Sequence, residues 1–233
     1  MDKRFTLYED FLSLLFPRTC CLCNRSLFGF ENQLCRICIE ALPVTNYHLR
    51  PEDNDLKSKI MGLTRVNRVL SYLRFTKKGT SQKLLHTLKY RNKPELGNLV
   101  GKMYGQLLLE NGFGSCWDTV IPVPLHPIKL KRRGYNQSER FAGGLAESLG
   151  LTVVKDLKRI RYTETQTNKS RLKRWHNVEN VFSLDNQRGV SGKSVLLVDD
   201  VMTTGATLAA CANVLLQSQA ASVDLAVIAA GKT

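Results

Sequence analysis

No stretch of the chain comes near the roughly 18 uninterrupted apolar residues that a membrane-spanning helix requires. The nearest approach, residues 5–16, is short and broken by Glu9 and Asp10. It lacks a small-residue cleavage site, so it does not read as a secretory signal; the expectation is a chain that stays in the cytoplasm. Acidic residues are the second scarcity. Twenty Asp and Glu stand against 34 Lys and Arg, a formal net charge of +14. Such an imbalance favours polyanionic partners, whether nucleic acid, anionic lipid or phosphorylated substrates, unless the chain is simply a soluble basic protein. Internal repeats and low-complexity tracts are missing, which excludes a solenoid. A true P-loop is missing too. Gly189-x-x-Gly192-Lys193-Ser194 is two residues too short and precedes a strand, where a P-loop links a strand to a helix, so it reads as a turn.

What is present starts with cysteine. Of seven cysteines, four fall in two close pairs, Cys20-x-x-Cys23 and Cys35-x-x-Cys38. In a cytoplasmic chain this spacing suggests metal rather than disulfides. Two such knuckles place four thiolates tetrahedrally around one Zn²⁺ with no open position, hence a structural site. So small a module buries too little surface to fold unaided. Zinc supplies the deficit, on the order of 10–16 kcal/mol in comparable peptides. Cys21 is the rival of Cys20 as first ligand, but Cys21-x-Cys23 makes the poorer knuckle. Ahead of the module, Leu7, Phe11, Leu14 and Leu15 share one helical face up to Pro17. The division expected is an N-terminal helix and four-cysteine zinc module over 1–45, a polar connector over 46–65, and the main domain over 66–233.

In that main domain, residues 66–75 have strand character, and helices are expected over 81–91 and 95–110. At the end of the first, Lys89-Tyr90-Arg91 either stacks on a base or is a solvated helix end. Residues 117–124 supply a second strand. A basic stretch follows it directly, with His126, Lys129, Lys131, Arg132 and Arg133. Asn136 then caps a helix whose buried stripe is Phe141, Leu145 and Leu149, with Glu139 completing a capping-box-like pair and Gly150 ending it. Arg132 and Arg133 can receive a pyrophosphate through charge-assisted hydrogen bonds. Another strand is expected within 151–157. The stretch 159–177, rich in cations and poor in aliphatics, reads as a long loop: a closing lid, or a grip on single-stranded nucleic acid through Lys173, Trp175 and their neighbours.

The most informative stretch is 195–207. Val195, Leu196, Leu197 and Val198 make a short buried strand, Asp199 and Asp200 sit at its carboxyl end, and Thr203, Thr204 and Gly205 turn the chain into an apolar helix from about Ala206 to Gln217. Ligands of parallel α/β sheets bind at strand carboxyl ends. A helix start offers free N–H groups and roughly half a positive charge, which suits phosphate. Adjacent carboxylates accept from neighbouring sugar hydroxyls or help hold Mg²⁺. This order of parts resembles the 5-phosphoribosyl 1-pyrophosphate (PRPP) motif of type I phosphoribosyltransferases. Residues 223–230 are a final buried strand.

Several further motifs agree: the two Cys pairs, Val-Pro-Leu-His at 123–126, Arg-Arg-Gly-Tyr-Asn-Gln at 132–137, Thr-Glu-Thr-Gln-Thr-Asn at 163–168 and Arg-Trp-His-Asn-Val at 174–178. Together they resemble the ComF family, including ComFC and the related GntX-like proteins, over essentially the whole chain. Tyr135 stands where that family usually has Phe, and Cys21 is extra. The resemblance implies an α/β type I phosphoribosyltransferase fold carrying a zinc-ribbon-like N-terminal module. It also implies a role in natural transformation, helping single-stranded DNA enter the cytoplasm beside a ComFA-like helicase, with peripheral attachment to the inner face of the membrane as one option. Ribose hydroxyls would fall to Asp199 and Asp200, and the 5′-phosphate to Thr203, Thr204, Gly205, Ala206 and Thr207. Pyrophosphate, with Mg²⁺, or the incoming group would meet Arg132, Arg133 and Asn136. Thr165, Gln166, Arg171 and Arg174 would belong to the closing loop. Whether the chain turns PRPP over on an acceptor is not legible in sequence.

Overall fold

A computed structural model of the chain describes residues 17–160 and 181–231. Its centre is a five-stranded parallel sheet in the order β1-β7-β6-β2-β3, built from β1 (Val69–Arg74), β2 (Thr119–Pro122), β3 (Thr152–Val153), β6 (Ser194–Met202) and β7 (Ser222–Ala230). The side-chain alternation of β6 assigns its two faces. Leu196 and Val198 pack into one core with α3 (Thr80–Tyr90), α4 (Pro94–Glu110) and α6 (Gln137–Leu149). Val195 and Leu197 pack into the other, with α2 (Asp55–Ile60), α7 (Ala206–Gln217) and the antiparallel ribbon β4 (Leu157–Arg159)–β5 (Phe182–Leu184). Both faces are covered, as aliphatic parallel strands require. Helix α7, apolar on nearly all sides in sequence, has Cys211 fully buried.

Helices α4 and α6 approach closely because Gly101 and Gly144 face each other's backbone. A Cβ on Gly144 would stand 2.1 Å from the Asn98 carbonyl oxygen. Helix α6 starts and stops as its sequence suggests, with one difference. Asn136 accepts from the Ser138 N–H at 3.1 Å and Gly150 ends the helix at φ 68°. Glu139, however, pairs with Lys155 instead of closing a capping box.

The cysteine module is bolted to the sheet. Its short helix α1 (Arg36–Glu40) follows Cys35, and Cys20, Leu34, Cys35, Cys38 and Leu42 share a core with α3 and α4. Pro43 and Thr45 bond to the backbone of β1, covering that edge. The polar stretch read as a connector contains α2, capped by the Asn54 side chain; Leu56 and Ile60 are fully buried. The basic stretch after β2 is a further helix, α5 (Pro127–Arg133), where sequence suggested only a basic run. The N-terminal helix expected over 5–16 lies outside the described residues, as does the closing loop with Thr165, Gln166, Arg171, Lys173, Arg174 and Trp175.

Candidate functional site

Strand β2 leaves the sheet through α5 and α6 toward β3 on one flank; β6 leaves through α7 toward β7 on the other. The crevice at their carboxyl ends is a topological switch point, where open α/β sheets hold ligands. Strand β6 runs further than its aliphatic core suggests. Its pairing with β2 stops at Val198–Pro122, whereas its pairing with β7 continues to Met202–Ala230. Asp199 and Asp200 therefore lie inside the strand, in the part that has outrun β2.

Each acid is held by the start of α6. Ser138 Oγ donates to Asp199 Oδ1 at 2.7 Å, as does the Asp200 N–H at 2.8 Å. Gln137 Nε2 donates to Asp200 Oδ2 at 2.9 Å. Asn136 fixes that helix start by donating from Nδ2 to the Val123 carbonyl at 2.9 Å. Burial first, then the adjacent Asp200 charge, push the Asp199 carboxyl up to about 7, against the opposing pull of the Ser138 bond, the backbone bond and Lys89.

Lys89 was not singled out for this role in sequence. Its Nζ lies 2.8 Å from Asp200 Oδ2. Burial alone would lower its pKa, but the Asp200 charge and bond, then Asp199, outweigh that and hold it above the ordinary lysine value. Lys89 reaches the acids because α3 ends across the same rim, where the Tyr135 hydroxyl ties to the Leu88 carbonyl. A basic helix end beside an acid pair is a signal in the sequence, but only the tertiary fold shows that the two meet.

Beyond Lys89 opens a cavity of about 640 Å³, lined by Lys89, Tyr90 and Asn92 from one side and by α5 from the other, including Lys129, Lys131, Arg132 and Arg133. Arg133 bonds Gln137 Oε1, so a chain of contacts runs from Arg133 through Gln137 to Asp200. His126 caps α5 by accepting the Ile128 N–H at 3.3 Å.

On the other side of the acids, Asp199 and the residues from Val201 to Leu208 line a hollow of about 40 Å³ at the start of α7. Gly205 caps that helix at φ 78°, with no side-chain cap on the first turn. Thr203, Thr204, Ala206 and Thr207 surround it. Acid pair, helix-start cradle and cationic cavity are thus contiguous.

Some distance along the chain, the Sγ atoms of Cys20, Cys23, Cys35 and Cys38 lie within 4.8 Å of one another. Four sulfurs around a tetrahedral metal at ~2.3 Å stand about 3.8 Å apart, and Cys23–Cys35 is 3.6 Å, so the donor set can hold a metal ion. Cys21 is outside it, donating to Gln33 Oε1 at 3.1 Å; Cys20 is the first member of the cluster.

A phosphoribosyl transferase domain matches residues 135–233, which contain α6, β6, α7 and β7. With the parallel sheet, this makes the chain a phosphoribosyltransferase-fold protein. It is 31% identical over 232 residues to the DNA utilization protein YhgH of Shigella flexneri, covering 91% of this chain and 96% of that one. It is 27% identical over 226 residues to the competence protein ComFC of Bacillus subtilis strain 168, covering 91% and 85%. With YhgH of Salmonella typhimurium it shares 34% over 146 residues, 61% of this chain; the match spans 63% of the length of that relative. The chain belongs to the ComF family.

Proposed function

We propose that this protein binds PRPP, or a related phosphoribosyl ligand, at the β6–α7 corner and serves the handling of single-stranded DNA during its uptake. The observation that carries the first part is the contiguity of Asp199 and Asp200 with the Gly205 cradle on one side and a cationic cavity on the other. In this reading the carboxylates accept from the ribose hydroxyls, and the first-turn N–H groups of α7 with Thr203, Thr204 and Thr207 take the 5′-phosphate. Lys89, Arg132 and Arg133 draw charge from the pyrophosphate, while the acids favour an oxocarbenium-like sugar. Two carboxylates beside phosphate-binding cations are a donor set that suits Mg²⁺. Mg²⁺ would be held by Asp199 and Asp200 together with the ligand's own oxygens, and would neutralise charge on the diphosphate.

The DNA part rests on membership of a family whose relatives are named for competence and DNA utilization, and on the net charge of +14. A ComFA-like helicase is the partner this reading calls for. No described helix is long and apolar enough to cross a membrane; in this reading the protein works in the cytoplasm, with peripheral attachment to the inner membrane face as one option. The metal of the cysteine cluster is inferred to be structural Zn²⁺. A second reading, a Mg²⁺-dependent phosphoribosyltransferase of nucleotide metabolism, is favoured by the size of the cavity, which leaves room for an acceptor beside the acids.

Isothermal titration with PRPP and Mg²⁺ tests the site. Wild type binds, and Asp199→Asn/Asp200→Asn loses most of that affinity, by at least about tenfold given the 1.5–3 kcal/mol of a hydrogen bond to a charged group. Equal binding by both proteins would remove the assignment. Pyrophosphate release in cell extract distinguishes the enzyme reading from a binding role.

A further inference from the structure

The cavity beside the acid pair holds more positive charge than a phosphoribosyl ligand uses. A diphosphate already neutralised in large part by a divalent cation needs few cations, yet Lys89, Lys129, Lys131, Arg132 and Arg133 all line one wall or another. They are close enough to disturb each other: burial first, then repulsion from Arg159, Arg133, Arg132 and Lys89, lowers the Lys129 pKa. Interleaved with these cations is a ring. Tyr90 is 62% exposed, with His86 against it at 4.9 Å between centroids and the Arg133 guanidinium 5.9 Å from its centre. Cations tracking a groove, with an exposed ring on which a base can stack, form the pattern that grips single strands without sequence preference. A flat anionic bilayer cannot enter a concavity of this kind.

The same residues also answer to the acid pair. Lys89 bonds Asp200 directly and Arg133 reaches it through Gln137. We propose that the cavity is a lane for single-stranded nucleic acid, and that strand and phosphoribosyl ligand exclude one another because Lys89, Arg132 and Arg133 serve both. This rests on the phosphoribosyl reading above. It makes the ligand a release signal for the strand.

The test is fluorescence anisotropy of a labelled oligothymidylate on the full chain at fixed ionic strength. PRPP with Mg²⁺ at about ten times its own dissociation constant weakens oligonucleotide binding about tenfold, and the oligonucleotide at about ten times its own dissociation constant weakens PRPP binding to the same extent in calorimetry. Tripolyphosphate with Mg²⁺, matched in concentration, displaces far less. Lys131→Ser/Arg132→Ser, both exposed on α5, loses oligonucleotide affinity with an unchanged melting temperature. Undiminished oligonucleotide binding in the presence of PRPP, equal displacement by tripolyphosphate, or loss of anionic-vesicle binding in place of oligonucleotide binding in the variant would each overturn the proposal. So would absence of oligonucleotide binding in a wild type that does bind PRPP. Failure of wild type to bind PRPP at all is a different result, and sinks the phosphoribosyl reading itself.

Discussion

Two acids at opposite ends of this sheet are both pushed up by burial, but they answer to different partners. Asp224, at the amino end of β7, receives the Trp117 indole N–H at 2.8 Å and the Arg68 N–H at 2.9 Å, with the Arg68 guanidinium 3.6 Å away. It is a structural acid. Asp199, at the opposite end, shares its strand with a second acid and is raised to about 7 by burial and that neighbour. A carboxyl whose folded pKa lies above its unfolded value near 3.8 binds more protons when folded. Its stabilising contribution is complete below about pH 4 and is lost as the pH rises through about 7. Asp199→Asn keeps an acceptor for Ser138 and removes the charge. The variant is expected to melt about 2–4 °C above wild type near pH 8, in line with about 1 kcal/mol at this size, with the gap closing progressively as the pH falls from about 7 toward about 4. No gain at the higher pH would show that the pair is not strained by its own charge. Gly205 is the other residue that a site constrains. At φ 78° a Cβ would stand 3.0 Å from Met202 Cε and pack on Ile60. Gly205→Ala is expected to cost about 1 kcal/mol in denaturant unfolding through its left-handed backbone and to weaken PRPP binding more than that cost alone. An unchanged affinity would separate the cradle from the phosphate.

At the scale of elements, local signals were legible where they were dense. The β6–α7 handover could be read because an aliphatic run, an acid pair, a glycine and an apolar helix follow each other within a few residues, and α7 does begin at Ala206. Helix α5 was obscured because its only aliphatics, Ile128 and Leu130, are 60% and 40% exposed, leaving no buried stripe to betray a period. Its punctuation was nevertheless present: Pro127 at the first turn and Gly134 at φ 83° beyond the last. The extension of β6 through the acids was hidden for a different reason, since it depends on β7 continuing beside it. Helix α3 links the cysteine cluster to the acids. Leu84, Leu85 and Leu88 share a core with Cys20, Cys35 and Cys38, Thr87 Oγ1 donates to the Cys21 carbonyl at 3.5 Å, and Lys89 ends on Asp200. Chelation is therefore expected to release one metal per chain and to speed amide exchange in α3 far more than in α7, which packs on the opposite face. Uniform exchange, or none altered, would uncouple the cluster from the site.

At the scale of the whole molecule, the sequence suggested a parallel α/β core but could not order its strands, because β1, β7, β6 and β2 find their neighbours across long separations that leave no local trace. That order matters most, since it puts the reversal of the sheet between β2 and β6 and so opens the crevice where Asp199, Asp200, Lys89 and the cations of α5 converge. The net charge of +14 gains meaning from the same convergence: part of the excess faces one cavity beside one pair of acids. The account is tested most directly by amide chemical shifts of the isotope-labelled protein titrated with PRPP and Mg²⁺. It predicts that the largest shifts fall on Thr203, Thr204, Gly205, Ala206 and Thr207, with Asp199 and Asp200 following. Saturable shifts that leave those seven amides unmoved would contradict it.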